Sequence, residues 1–92
     1  EIDLNGLKCD IAGKHLEYKG ESIVLTRKES DLLFYLLQKQ GSIVSKEELL
    51  DALYLNPQNI SSNTIDVTIG HIRKKLPVKV IKTIKTRGYI IE

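Results

Sequence analysis

The spacing of apolar residues changes twice along the chain, at Thr26 and at Pro77, and these two breaks limit what it can fold into. Before Thr26 the apolar residues sit in short extended runs, Ile2-Asp3-Leu4, Lys8-Cys9-Asp10-Ile11, His15-Leu16-Glu17-Tyr18 and Ser22-Ile23-Val24-Leu25. Turn-prone Asn5-Gly6, Ala12-Gly13-Lys14 and Lys19-Gly20-Glu21 separate the runs, which predicts a small antiparallel sheet. From Thr26 to Leu76 the spacing is helical, and beyond Pro77 it is extended again. A chain patterned this way is of the α+β class, with strands at both ends and helices between.

The middle stretch divides into three helices. Thr26 offers an N-cap hydroxyl with Glu29 three residues on, a capping box, ahead of Leu32, Leu33, Leu36 and Leu37. That helix should run to about Gln40, where Gly41 stops it. Ile43-Val44 is too short for more than one extended step, and Ser45 then begins a second capping box with Glu48, for a helix ending near Tyr54. Leu55-Asn56-Pro57-Gln58-Asn59-Ile60 has no periodicity and reads as a connecting loop, after which Ser61 or Ser62 can cap a third helix over about 62–76. In it Ile65, Ile69, Ile72 and Leu76 share one narrow stripe, the predicted core face. The tail, Val80 to Ile84 and Tyr89 to Ile91 around Lys85-Thr86-Arg87-Gly88, reads as a two-stranded hairpin over about 80–91 with a cationic tip.

Ninety-two residues support one compact domain, 1–92, and leave little room for a deep catalytic cleft. A 41% apolar and 28% charged composition is that of an ordinary globular protein. No stretch nears the roughly 18 apolar residues of a membrane helix, and Glu1-Ile2-Asp3-Leu4 lacks the start of a signal peptide, so a cytoplasmic location is expected. The lone Cys9 can form neither an internal disulfide nor a zinc knuckle.

The charge is unevenly distributed. Residues 1–60 carry seven Lys/Arg and ten Asp/Glu, net −3, whereas residues 61–92 carry seven Lys/Arg against Asp66 and Glu92 alone, net +5. A surface facing a polyanion is therefore expected in the C-terminal third. There, the third helix carries Asn63, Val67, Gly70, His71 and Lys74 opposite its core stripe, with Thr64, Thr68, Arg73 and Lys75 on the flanks. An apolar anchor with a small or polar outer face is what a helix needs to enter a DNA major groove.

Each residue has a role in that reading and a plainer one beside it. Asn63 can bond adenine or phosphate, Thr64 a phosphate near the helix start, and His71 a guanine edge. Val67 can meet a thymine methyl or be an isolated exposed valine. Gly70, which costs about 1 kcal/mol relative to alanine within a helix, implies close approach of DNA or mere tolerance. Arg73, Lys74 and Lys75 can neutralise phosphates or complement the helix dipole, and Lys85 and Arg87 at the hairpin tip can reach a minor groove or be solvated. Asp66, with no acidic neighbours to bind magnesium, is expected to serve the helix start or to pair with Arg73.

No nucleophile with a base, metal-ligand spacing or phosphate-cradling glycine loop is present, so neither catalysis nor a metal or other cofactor is expected. His15 and His71 lie on different elements, and Glu47-Glu48 is helix-start charge.

Four blocks, taken in order, carry a resemblance: Leu25-Thr26-Arg27-Lys28-Glu29, Val44-Ser45-Lys46-Glu47-Glu48-Leu49-Leu50, Ser62 to Leu76, and Ile84 to Tyr89. The chain resembles the OmpR/PhoB-type response-regulator effector domain over essentially its whole length. The resemblance implies a winged helix-turn-helix: an N-terminal four-stranded antiparallel sheet, three helices with the third in the major groove, and a C-terminal wing at the minor groove. It implies DNA contacts at Asn63, Thr64, Val67, Thr68, Gly70, His71, Arg73, Lys74 and Lys85, to which the reading of the cationic hairpin tip adds Arg87. A loop that contacts RNA polymerase would be Leu55, Asn56, Pro57, Gln58, Asn59 and Ile60. It further implies direct-repeat DNA sites, and a receiver domain and sensor kinase that lie outside this chain, with the isolated domain monomeric off DNA. Members often carry arginine where Gly70 and His71 stand, and a second glycine is frequent in the wing turn.

Two other classes compete. A winged helix with a basic surface can serve as a protein-interaction module, although the third helix lacks the aromatic anchors of such interfaces. A single-stranded nucleic-acid binder would stack bases on exposed aromatics, whereas Phe34, Tyr35 and Tyr89 sit where structural roles are expected.

Overall fold

The computed structural model describes all 92 residues. Strands β1 (Ile2–Leu4), β2 (Leu7–Asp10), β3 (His15–Tyr18) and β4 (Glu21–Ile23) form one antiparallel sheet in chain order. Two of its turns hold two residues each at positive φ, Asn5 (54°) with Gly6 (92°) and Lys19 (50°) with Gly20 (84°). This is the geometry that matches hairpin twist, and Asp3 Oδ1 accepts the Gly6 N–H at 2.9 Å to fix the first turn. Alternation then buries Leu7, Cys9 and Leu16 and exposes Lys8 and Asp10. β2 begins one residue earlier than the sequence predicts, and β4 ends at Ile23, leaving Val24 exposed.

Helix α1 (Arg27–Gln38) carries the complete predicted capping box: the Glu29 N–H donates to Thr26 Oγ1 at 3.3 Å, and the Thr26 N–H donates to Glu29 Oε1 at 2.9 Å. Leu32, Leu33, Leu36 and Leu37 are buried as their spacing requires, each contributing about 2 kcal/mol on leaving water. Helix α2 (Lys46–Leu53) has only half of its predicted box. Ser45 Oγ accepts the Glu48 N–H at 3.0 Å, but the Glu48 carboxylate turns to α1 and accepts the Tyr35 hydroxyl at 2.5 Å. The connecting loop contains a single 3-10 turn, Pro57–Asn59, started by proline's fixed φ.

Helix α3 (Asn63–Lys75) buries Ile65, Ile69 and Ile72, and Leu76 is buried just beyond its end, joining the leucines of α1 and α2 and the inner face of the sheet in one core. Strands β5 (Lys82–Ile84) and β6 (Gly88–Ile90) form the C-terminal hairpin. Ile43-Val44 is more than a spacer: Val44 N–H donates to Tyr89 O at 2.8 Å, and Tyr89 N–H returns to Val44 O at 2.9 Å. Gly41 N–H adds a bond to Ile91 O at 2.8 Å, so the link between α1 and α2 acts as a third strand for the hairpin.

Gly88 makes that pairing possible. Its φ is +138°, and a Cβ there would overlap the Val44 carbonyl oxygen and lie 2.9 Å from Ser45 Cα.

Candidate nucleic-acid interface

With Ile65, Ile69 and Ile72 turned to the core, the geometry of α3 forces Asn63, Val67, His71 and Lys74 outward, and all four are exposed. Val67 keeps 49% of its surface in solvent, a large exposed apolar area for a helix side chain. Beside it, Gly70 has nothing within 4 Å of where a Cβ would stand, so no packing within the domain demands glycine. Thr68, partly exposed, returns its hydroxyl to Thr64 O at 2.9 Å. At the helix start it is the Ser61 hydroxyl that accepts the Asn63 N–H, at 3.2 Å, and Ser62 makes no side-chain cap.

The three cations that end α3 differ in what holds them. Lys75 donates to Glu29 Oε1 at 2.7 Å, tying the end of α3 to the start of α1. Arg73 turns to the hairpin, where Nη2 donates to Ile81 O and to Thr83 Oγ1, both at 2.9 Å. Of the three, Lys74 alone makes neither an ion pair nor a side-chain hydrogen bond, and the same is true of Lys85 and Arg87 at the exposed hairpin tip.

Glu29 is 95% buried by the chain, and its surroundings explain why it stays charged. Burial opposes ionisation, yet the Lys75 ammonium and the Thr26 N–H and hydroxyl outweigh it and hold the carboxyl below its ordinary range. His71 Nδ1 stands 3.9 Å from Glu29 Oε2, which links an outer-face side chain to the same carboxylate.

Asp66 lies in the first turn of α3, one of its two expected roles, but its expected partner is corrected. It pairs not with Arg73 but with Lys46 at 3.1 Å, and it accepts a short hydrogen bond from the Tyr89 hydroxyl. That bond, aided by Lys46 against the opposing effect of burial, lowers its carboxyl pKa. Burial, and then the Asp66 carboxylate, push Tyr89 up to about 12. Lys46, Ser62, Asp66, Thr86 and Arg87 thereby border one groove between the helices and the hairpin. Lys46 and Tyr89 were absent from the predicted site, and the only sequence signal for them was their position in the blocks that carry the resemblance.

No group of His, Cys, Asp and Glu is clustered to hold a metal ion. Burial, with Asp3 and Glu1 nearby, pushes the Cys9 thiol up to about 11, which leaves it a packing residue. In the loop before α3, Leu55 is fully exposed, and Asn56, Gln58 and Asn59 are also on the surface. No helix is long and apolar enough to cross a membrane.

Three helices, a four-stranded sheet in front and a paired hairpin behind define a winged-helix domain. Residues 20–91 match the family described as transcriptional regulatory protein, C terminal. The chain is 35% identical to the transcriptional regulatory protein PhoP of Escherichia coli strain K12, over 99% of its own length and 43% of PhoP. Among solved structures it superimposes on the Thermotoga maritima response regulator DrrB, an OmpR/PhoB homolog, with a TM-score of 0.86 and 33% identity, covering 98% of this chain and 43% of DrrB. It also matches the Klebsiella pneumoniae RstA DNA-binding domain, solved in complex with the RstA box, with a TM-score of 0.79 and 26% identity, covering 98% of this chain and 94% of that one.

The chain belongs to the OmpR/PhoB family of transcriptional response regulators, as a winged-helix DNA-binding domain and not an enzyme. It spans less than half the length of the curated relatives it matches.

Proposed function

We propose that this chain is the single effector domain of a two-component response regulator, reading double-stranded DNA with α3 in the major groove and the hairpin wing at the adjacent minor groove. The observation that carries this is the outer face of α3, where half-exposed Val67 stands beside the open Gly70, directly opposite a fully buried isoleucine stripe. A helix presenting such a face can approach base edges closely, with Val67 meeting a thymine methyl and His71 a guanine edge. Asn63 and Thr64 would meet phosphate at the helix start, Thr68 and Gly70 would line the groove, and Lys74 would follow the backbone. Lys85 and Arg87 would enter the minor groove, where negative potential attracts cations.

The wider assignments rest on the family. They are tandem binding to direct repeats, activation through a phosphorylated receiver domain and its sensor kinase, and contact of the Leu55 to Ile60 loop with RNA polymerase. Full exposure of Leu55 supports the last of these.

Selection of duplexes from a random library, followed by fluorescence anisotropy at several salt concentrations, tests the reading. A recurring half-site in tandem, bound less tightly as salt rises, is the expected result. Val67→Ala and His71→Ala should each cost about 1–3 kcal/mol on that site and almost nothing on random DNA. Equal losses on both would remove these residues from base reading, and absence of binding at low salt would favour a protein-interaction role.

A further inference from the structure

We propose that Tyr89 and Asp66 are positioning residues that set the angle of the wing to α3, so that the wing tip can act on DNA only while they are joined. This rests on the DNA-binding reading above and assigns that site a part which its exposed residues do not supply.

Three elements meet at Asp66. Its carboxylate, on the first turn of α3, holds the Tyr89 hydroxyl of β6 through Oδ1 and the Lys46 ammonium of α2 through Oδ2. Further along the same helix, the Arg73 guanidinium stands 5.8 Å from the centre of the Tyr89 ring and bonds Ile81 O and Thr83 Oγ1 beside β5. Helix α3 therefore grips one aromatic ring at its hydroxyl end and at its face. Two grips spaced along a helix fix how a hairpin is rotated against it, which one contact would leave free.

The backbone bridge to Val44 holds the other side of the same residue. Tyr89 is itself 6% exposed, so it acts through the wing and not by touching a ligand. The placement of Asp66 is informative too, because it is the only carboxylate on α3 and, with Glu47 of α2, borders a groove that also holds Lys46 and Arg87. A negative charge there opposes a polyanion unless it serves the frame. Partly buried polar links of this kind add little net stability, but they define a single arrangement.

The test is a set of double-mutant cycles on the selected duplex, in which Lys85→Ala is combined with wild-type, Tyr89→Phe, Asp66→Ala and Asp66→Asn backgrounds. Loss of Lys85 should weaken wild-type binding about tenfold at low salt. In Tyr89→Phe and Asp66→Ala the same loss should shrink below about twofold, because the tip is no longer held in the groove. Asp66→Asn keeps an acceptor for the Tyr89 hydroxyl and should restore the larger factor. An unchanged Lys85 factor in every background overturns the proposal.

A second measurement needs no DNA: residual dipolar couplings of wing amides, referenced to α3, in wild-type and Tyr89→Phe protein. Couplings that depart from the wild-type orientation support the positioning role, and identical couplings overturn it even if no duplex is bound. Absence of duplex binding by the wild type would instead count against the DNA-binding reading. Tyr89→Phe removes one oxygen atom, so it decides the matter should Asp66→Ala fail to fold.

Discussion

The base of the wing and the outer face of α3 lie in the same basic third of the chain, yet they treat a missing side chain in opposite ways. At Gly88 the backbone of Val44 and Ser45 occupies the space a methyl would need, and φ is one that other residues rarely adopt. At Gly70 the space is empty and the conformation is ordinary helix. One glycine is demanded by the fold, whereas the other is free of any demand from within. Close packing is concentrated where the wing is held, and the outer face of α3 is left open at Gly70.

The largest effect that would sharpen this contrast is expected at Gly88. Gly88→Ala should lower stability by about 3 kcal/mol or more in urea unfolding, since left-handed strain and overlap with Val44 act together. A loss below about 1 kcal/mol would mean the α1–α2 link yields easily and the base of the wing is not rigid.

Next comes the tie between the frame and α3. Glu29→Gln should cost about 2 kcal/mol at neutral pH by weakening a buried, charge-assisted bond to Lys75. Because the folded-state pKa of Glu29 lies below the ordinary 4.5, this stability is present above 4.5 and fades as pH falls through the depressed folded value. Unfolding curves of wild type and variant should therefore converge in acid, and a gap that persists there would assign the loss to packing.

Smaller effects of opposite sign are expected at the open positions. Thr86 at the wing tip has φ +63°, costly for a β-branched residue, so Thr86→Gly should gain about 1 kcal/mol. Gly70→Ala should raise the stability of the free domain by up to about 1 kcal/mol through helix propensity. Measured on the selected duplex, the same variant separates the two readings of Gly70: weakened binding means DNA comes close to the backbone, and unchanged binding means tolerance.

The parts legible in the sequence are those governed by neighbours along the chain. Thr26 and Glu29 sit three apart and build the box that their types predict, and Ile65, Ile69 and Ile72 mark the buried side of α3 by spacing alone. Asn5-Gly6 announces its turn in the same way. What escaped the sequence was chosen by tertiary geometry. Glu48 has the right spacing to complete a cap, but Tyr35 on another helix offers its carboxylate a better-placed donor. Asp66 and Arg73 are on one helix, yet each finds its partner in the wing or in α2. Ile43-Val44 carries too few residues to announce a strand, and its pairing depends on a segment at the far end of the chain.

That pairing also bears on the order of folding. An isolated two-stranded hairpin is marginal in water, and this one completes its ladder with a strand residue that precedes it by half the chain. Closing so long a loop is entropically costly until the helices have brought Val44 into place. The wing should therefore form late and together with the core, and the amide protons of Gly41, Val44 and Tyr89 should exchange with solvent only as slowly as the whole domain opens.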